Sequence, residues 1–303
     1  MAEVAASRFE AAPQRRKRRD WSGELLSLPA LIAILAVMGF PLVYLGWMSL
    51  HRWSMVGFEA PRFLGIANFV QLAQDERFLD ALVRTFWFTA LGLASNLPLG
   101  LGIALLMHER FPGRSICRAL LILPMVATPA AMGLVWVIML DPTLGIVRYL
   151  LGLVGISQPP LWLSDPAIVV PTLVAVDAWM WTPMVALICI AGLAALPTEP
   201  FEAALVDGAS TLQRFRYLTL PMMMSTLMVA AMLRLMDLLK LIDIVYVMTG
   251  GGPGHLSETL NLYNYLVALS YDKIGYGSAI ALVLFAIVMA CTLVLIRLRR
   301  PTS

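Results

Sequence analysis

The sequence predicts an all-α, polytopic membrane protein with six transmembrane helices, and three observations predict it. Of its 303 residues, 60% are hydrophobic and only 14% are charged, against about 45–50% and about 25% in soluble domains. Several apolar stretches reach the ~20 residues that cross a hydrocarbon core. The lysines and arginines are also distributed very unequally between alternate sides of those stretches. Six spans leave no room for a large soluble domain.

The elements follow in chain order. Residues 1–24 form a basic tail containing Arg15-Arg16-Lys17-Arg18-Arg19. Beside a span, such a run reads as a cytoplasmic anchor rather than a nucleic-acid arm. The first span covers about 25–49, with Pro29 near its start and Pro41 as a kink. It is too long for a signal-peptide core and is expected to remain uncleaved. After a mixed, aromatic-dotted stretch, the second span covers about 85–107 and the third about 119–140. A basic turn, 108–118, separates them. The fourth span, about 168–196, follows a loop broken by Gly, Pro and Asp. A charged loop, 197–221, leads into the fifth span, about 220–242. A Gly-rich loop at 249–254, expected to be flexible, and a mixed stretch precede the sixth span, about 277–296.

Six spans place both termini on one side, and basic residues favour the cytoplasm. The two termini hold nine Lys and Arg, residues 108–118 three and residues 197–219 two, whereas the three opposite loops hold six. The expected orientation is therefore N-in and C-in, with 197–221 in the cytoplasm. The net charge of +3 does not point to nucleic acid. Cys117, Cys189 and Cys291 lie far apart in or beside apolar segments, so they make neither a metal spacing nor a complete disulfide framework.

Charged and polar residues inside spans are costly and call for an account. Arg234, Asp237, Lys240 and Asp243 recur every three residues at the end of the fifth span, where alternating charges can pair along one helix. They form either a self-neutralised helix end or a polar lining for a solute path. Asp177 and Trp181 are four apart and share a helix face, whereas Trp179 points elsewhere, to packing or lipid. An indole beside a carboxylate suits a sugar, whose C–H face stacks and whose hydroxyls donate. Packing of Trp181 between helices, with Asp177 bonded to a neighbour, is the alternative. Asn96 in the second span reads as path lining or as an interhelical hydrogen bond. His51, His108 and His255 lie in separate loops, and no catalytic constellation forms around them. No Gly-x-x-x-x-Gly-Lys-Ser/Thr loop is present, so ATP is not expected to bind this chain.

The 197–221 loop carries Glu202-Ala203-Ala204-Leu205-Val206-Asp207-Gly208-Ala209, then Phe215, Leu220 and Pro221. Glu202 suits the first turn of a helix, the alanines favour helix, and Gly208 ends it. A second helix is expected from Ala209 to Leu220. This composite pattern resembles the EAA loop of ABC importer permeases. Other stretches are similar to carbohydrate-type members, specifically to the first of their two permeases. They are Phe63-Leu64-Gly65-Ile66-Ala67-Asn68-Phe69, Gly113-Arg114 with Arg118 and Pro124, Trp181-Thr182-Pro183, and Asp243 through Tyr246, Thr249 and Gly251-Gly252-Pro253. Arg84-Thr85 departs from the family's usual Asn-Thr. The large extracytoplasmic insertion of the maltose system's larger permease is also missing.

The resemblance implies a multi-pass subunit of a bacterial or archaeal cell membrane that moves a sugar or sugar-like solute inward by alternating access. It implies a second permease, two ATPase subunits that hold ATP and magnesium, and an extracytoplasmic solute-binding protein. It implies no cofactor on this chain. Glu202, Ala203, Ala204, Leu205, Asp207, Gly208, Ala209 and Phe215 would form the ATPase-coupling element. Asp177, Trp181, Arg234, Asp237, Lys240 and Asn96 are candidates for the solute path. The rival readings are a secondary transporter, which would need coupling-ion sites and usually inverted repeats, and a polytopic enzyme, which would need convergent polar groups.

Overall fold

The computed structural model describes residues 22–298 except 55, 57–59, 110 and 157. The basic run at 15–19, Arg110, and Arg299 and Arg300 therefore lie outside the described residues. The chain divides into two units, Met1–Leu45 and Gly46–Ser303.

The first unit contains helix α1, Ser22–Ile34, and the start of α2, Phe40–Ser49, joined by a π turn at Leu35–Gly39. Pro41 follows this turn by two residues. A proline has no N–H to donate and clashes with the carbonyl four residues back, and a widened turn just before it relieves both. The side chains of Leu31, Val37, Phe40 and Val43 are exposed.

In the second unit, a short antiparallel pair, β1 at His51–Arg52 and β2 at Arg62–Phe63, leads to α3, Ala67–Ala73. Asn68 fixes this corner. Its buried Nδ2 donates to the carbonyls of Ser49, at 2.7 Å, and His51, at 3.1 Å. Helix α4 spans Glu76–His108 and begins nine residues before the expected second span. Asp75 caps it by accepting from the backbone N–H groups of Arg77 and Phe78. At ~1.5 Å per residue, its 33 residues reach about 50 Å, more than a hydrocarbon core of about 30 Å requires.

The third expected span is two helices, α5 at Arg114–Val126 and α6 at Pro129–Met139, bent by 99°. The residue before a proline is pushed out of the helical region. Thr128 precedes Pro129 and is extended, with ψ 142°, as is Ala127, with ψ 152°. After α7, Ile146–Leu153, helix α8 covers Val169–Ala194.

Helix α9, Glu199–Val206, is followed by α10, Thr211–Arg214, a π turn at Phe215–Thr219 and α11, Leu220–Leu239. The second loop helix therefore does not stop before Pro221, as expected; it runs on as the fifth span. The π turn again precedes a proline, and Leu220 N–H donates to the Phe215 carbonyl five residues back. Helix α11 ends at Leu239, and a new helix, α12, begins at Asp243 and ends at Thr249. The four-residue charge row is thus split, with Arg234 and Asp237 on α11, Lys240 just past its end and Asp243 on α12. Helix α13, Leu260–Tyr265, with its π turn at Leu266–Ser270, leads to α14, Ile274–Leu298.

Three buried clusters hold the second unit together. One joins Phe88, Leu173, Met180, Ile244 and Met248. A second joins Leu72, Phe78, Leu260, Tyr263 and Ile280. A third joins Leu101, Val185, Cys189, Met223 and Ala230. Helices α4 and α8 approach closely enough that a Cβ on Gly100 would lie 2.5 Å from Val185 Cγ1.

The stretch after α12 carries one side-chain hydrogen bond of its own, and the start of α13 is held by one from α4. Ser257 Oγ donates to the Gly252 carbonyl at 2.7 Å, and Thr85 Oγ1 accepts from Leu260 N–H at 2.8 Å.

Candidate functional site

Two sites emerge, one within the helices and one beyond an end of them. In the first, α8 supplies Asp177 and Trp181, and α11 supplies Arg234. Arg234 Nη2 donates to Asp177 Oδ2 at 2.5 Å, and both side chains are at most 2% exposed. Arg234 stands 3.9 Å from Asp237 on its own helix. The cross-helix pair therefore replaces pairing along one helix as the main neutralisation. The guanidinium also lies 5.5 Å from the Trp181 ring centroid, a cation–π arrangement.

Asn96 on α4 completes the network. Its Nδ2 donates to the Gly92 carbonyl at 2.7 Å and to Asp177 Oδ2 at 3.3 Å, and its Oδ1 accepts from Thr182 at 3.2 Å. Asn96 is fully buried, and its bonds to Asp177 and Thr182 join α4 to α8.

A cavity of about 210 Å³ adjoins this network. Asp177, Trp181, Arg234, Asp237, Lys240 and Asp243 line it, with Pro129, Leu241 and Ile244. Asp177 Oδ1 and Arg234 Nε are buried and have no hydrogen-bond partner. A buried polar group without a partner is costly. One acceptor and one donor on the cavity's lining residues are thus left unsatisfied, next to an indole. Among the described residues, no group of three or more His, Cys, Asp or Glu is placed to hold a metal ion.

The second site is α9 and the turn after it. Glu199 and Glu202 occupy the first turn of α9, with Pro200 beside them. Gly208 has φ +75°, Gly208 N–H donates to the Leu205 carbonyl, and Ala209 N–H donates to the Ala204 carbonyl. This is a Schellman termination, which selects glycine at that position. Ser210 and Gln213 then form a reciprocal capping box that starts α10. Glu202, Ala203, Leu205, Asp207 and Gly208 are exposed, Ala204 and Ala209 are half-buried, and Phe215 packs onto the third cluster. Leu205 is 56% exposed and Val206 89% at the end of the short helix α9, and Tyr217, in the π turn that leads into α11, is 69% exposed. A shallow hollow lies beside them, lined by Ala204, Asp207, Gly208, Ala209 and Tyr217.

The sequence does not reveal the pairing of Asp177 with a residue 57 positions away, nor that of Arg77 with Glu258. Arg77 donates twice to the buried Glu258 carboxylate, at 2.9 and 2.6 Å. The signal for it in the sequence is a lone carboxylate, Glu258, in the stretch between the Gly-rich turn and α13.

Long apolar helices, one of them broken, with an exposed two-helix turn at one end and a buried polar network between them, define a membrane transport subunit. The chain belongs to the family of binding-protein-dependent transport system inner membrane components, whose family model matches residues 96–300. It is therefore a permease subunit of an ABC importer, a membrane-embedded transport component rather than an enzyme. The trehalose/maltose transport system permease protein MalF of Thermococcus litoralis is 35% identical over 92% of this chain and 93% of its own length. The sulfoquinovosyl glycerol transport system permease protein SmoG of Agrobacterium fabrum is 31% identical, over 91% of this chain and 89% of its own. The crystal structure of a bacterial importer of the acidic polysaccharide alginate matches the fold with a TM-score of 0.79. At 22% identity, the match covers 94% of this chain and 97% of that one.

Proposed function

We propose that this subunit forms half of an inward path for a sugar or sugar-like solute, with Asp177, Trp181 and Arg234 at its polar point. Asp237 and Lys240 lie at the exposed rim of the same cavity, and Asn96 holds Asp177 in place from α4. The observation that carries the reading is the unsatisfied Asp177 Oδ1 and Arg234 Nε beside Trp181. The relatives named for trehalose, maltose and sulfoquinovosyl glycerol agree in solute class.

The rest of the assembly in this reading is a second permease, two ATPase subunits carrying ATP and magnesium, and an extracytoplasmic solute-binding protein. Both termini face the cytoplasm, the 1–24 tail included, and so does the 197–221 loop. Glu202 to Ala209, with Phe215 behind them, dock on one ATPase. The helix from Thr211 runs without interruption into α11. Arg234 therefore lies 23 residues, about 35 Å, along one rod from the docking turn. Movement of the turn would shift Arg234 relative to Asp177, which α8 and α4 hold. The pair thus closes the path in one state and yields its charges to solute hydroxyls in another.

Uptake by cells with and without this gene, across labelled mono-, di- and oligosaccharides and polyols, tests the solute class. Gene-dependent uptake of at least one of them, abolished by Trp181→Ala with the subunit still in the membrane, is expected. Uptake of none, or uptake indifferent to Trp181, contradicts it.

A further inference from the structure

Six of the nine residues that line the cavity beside Asp177 come from one stretch, 234–244, and that stretch is not one helix. Arg234 and Asp237 lie on α11, Lys240 and Leu241 in the gap after it, and Asp243 and Ile244 on α12. Ile242, with φ −138°, marks the break. The break decides which side chains share the cavity. Asp243 stands nine residues beyond Arg234, which on an unbroken helix of about 3.6 residues per turn is about two and a half turns. Asp243 would then face away from Arg234. Across the break, both line the same cavity.

A helix that stops leaves carbonyls without helical partners, and at the end of a span they need substitutes. In a continuous helix the Lys240 and Leu241 carbonyls would accept from the N–H groups of Ile244 and Val245. The substitutes come from the segment that enters α13. Asn261 Nδ2 donates to the Lys240 carbonyl at 2.7 Å, and Thr259 Oγ1 donates to the Leu241 carbonyl at 2.7 Å.

The alternate residues of the same segment hold α4. Glu258 accepts two bonds from Arg77, and Leu260 N–H donates to Thr85 Oγ1. Glu258, Thr259 and Leu260 are fully buried. Residues 258–261 therefore form a strap. Its even-numbered residues anchor it on α4, and its odd-numbered residues hold the α11–α12 break.

We propose that Asn261 and Thr259 are positioning residues of the solute path. By holding the Lys240 and Leu241 carbonyls, they keep the break unwound and Asp243 in the cavity with Arg234. The inference rests on that cavity being the path. With Asp243 in place, the cavity carries three carboxylates, those of Asp177, Asp237 and Asp243, and its open end gains an acceptor for solute hydroxyls.

The test uses the complete importer with Cys117, Cys189 and Cys291 replaced by alanine and the reporter substitution Asp243→Cys. The probe is a charged, membrane-impermeant methanethiosulfonate reagent. Asn261→Asp keeps the side chain's shape and suits the first turn of α13, but its carboxylate cannot donate. Asn261→Leu removes the donor without adding charge. Both should slow labelling of the reporter by about tenfold. Thr259 also caps α13, accepting from Leu262 N–H at 3.3 Å. Thr259→Ser, which keeps the hydroxyl for both bonds, should leave labelling unchanged. Thr259→Val, which removes the other donor, should slow it too, and this arm stands if the Asn261 variants fail to assemble.

A second arm restores Asp243 and measures half-saturation of uptake for the labelled sugars that are taken up. Asp243→Asn and Asn261→Leu should each raise it. The double variant should raise it no further than the larger single effect, because both changes take the same carboxylate from the cavity. Labelling unchanged in every variant that removes a donor, or half-saturation effects that multiply, would overturn the proposal. Uptake indifferent to Trp181→Ala and to Asp243→Asn alike would show instead that the cavity is not the path, and the labelling rates then decide the positioning by themselves.

Discussion

Asp177 on α8 and Arg234 on α11 are 57 residues apart in sequence and 2.5 Å apart in the fold, with both side chains out of water. Desolvation makes such a pair sensitive to loss of either partner. Asp177→Asn leaves a buried uncompensated guanidinium, which costs about 3–5 kcal/mol. The expected outcome is lower thermal stability of the purified subunit together with loss of uptake. Replacing both, as Asp177→Leu with Arg234→Met, should recover most of the stability, because buried pairs are often exchangeable for apolar packing. Uptake should stay lost. Recovery of uptake in the double variant would show that the pair is structural only.

Trp181 touches this pair through its ring face and is itself half-buried. Trp181→Phe keeps an aromatic face, and Trp181→Ala removes it. Half-saturation of uptake should rise in the order wild type, Phe, Ala, with amounts in the membrane similar for all three. Equal half-saturation across the series would remove Trp181 from the path.

Asp75 ties three segments together. It caps α4 and accepts from the phenols of Tyr263, at 2.5 Å, and Tyr276, at 2.6 Å. Burial pushes its carboxyl upward, but the two phenols and the Phe78 and Arg77 N–H groups outweigh this and hold it below the ordinary carboxylate range. A depressed value in the folded state means stability that is present above about pH 4 and lost as pH falls through the lower folded value. Asp75→Ala should cost about 0.5–2 kcal/mol at pH 7, from the cap alone. The gap in melting temperature between wild type and variant should narrow below about pH 4. A gap that is constant with pH would mean that the charge contributes nothing.

Gly100 separates packing from signalling. A Cβ there would meet Val185 Cγ1 at 2.5 Å and the Ala186 nitrogen at 3.1 Å. Gly100→Leu should prevent α4 from seating on α8, and the subunit should be lost from the membrane. Normal amounts of folded Gly100→Leu subunit would contradict the close approach.

The all-α, multi-span character was legible because apolar length and basic-residue bias are properties of short windows. The termination at Gly208 was legible for the same reason. What was not legible depends on distant partners or on competing local effects. Arg234 read as part of a charge row along one helix because Asp177 lies on another span. The row itself ends early, because α11 stops at Leu239. The third span read as one helix although Pro129 forces Thr128 out of helical geometry. The fifth was expected to begin at about residue 220, after a separate loop helix, yet a π turn joins the two into one helix from Thr211. Asn96 was recognisable as polar, but only the fold shows that it bridges Gly92, Thr182 and Asp177.

The central claim is that the α9 turn couples this permease to an ATPase, and Gly208→Asp tests it most directly. Nothing lies within 4 Å of a Cβ built on Gly208, so the substitution clashes with nothing inside the subunit. Its φ of +75° adds a strain of about 1–2 kcal/mol. The new carboxylate would have to be desolvated against whatever docks on the exposed Leu205 and Val206. Glu202→Ala should be milder, since a charge at a helix start is typically worth about 0.3–1 kcal/mol. The measurement is solute-stimulated ATP hydrolysis by the reconstituted importer, with the amount of co-purified ATPase recorded alongside. The account predicts normal membrane levels of Gly208→Asp, with either little ATPase retained or hydrolysis that no longer responds to loaded binding protein. Full assembly with full solute-stimulated hydrolysis would contradict it.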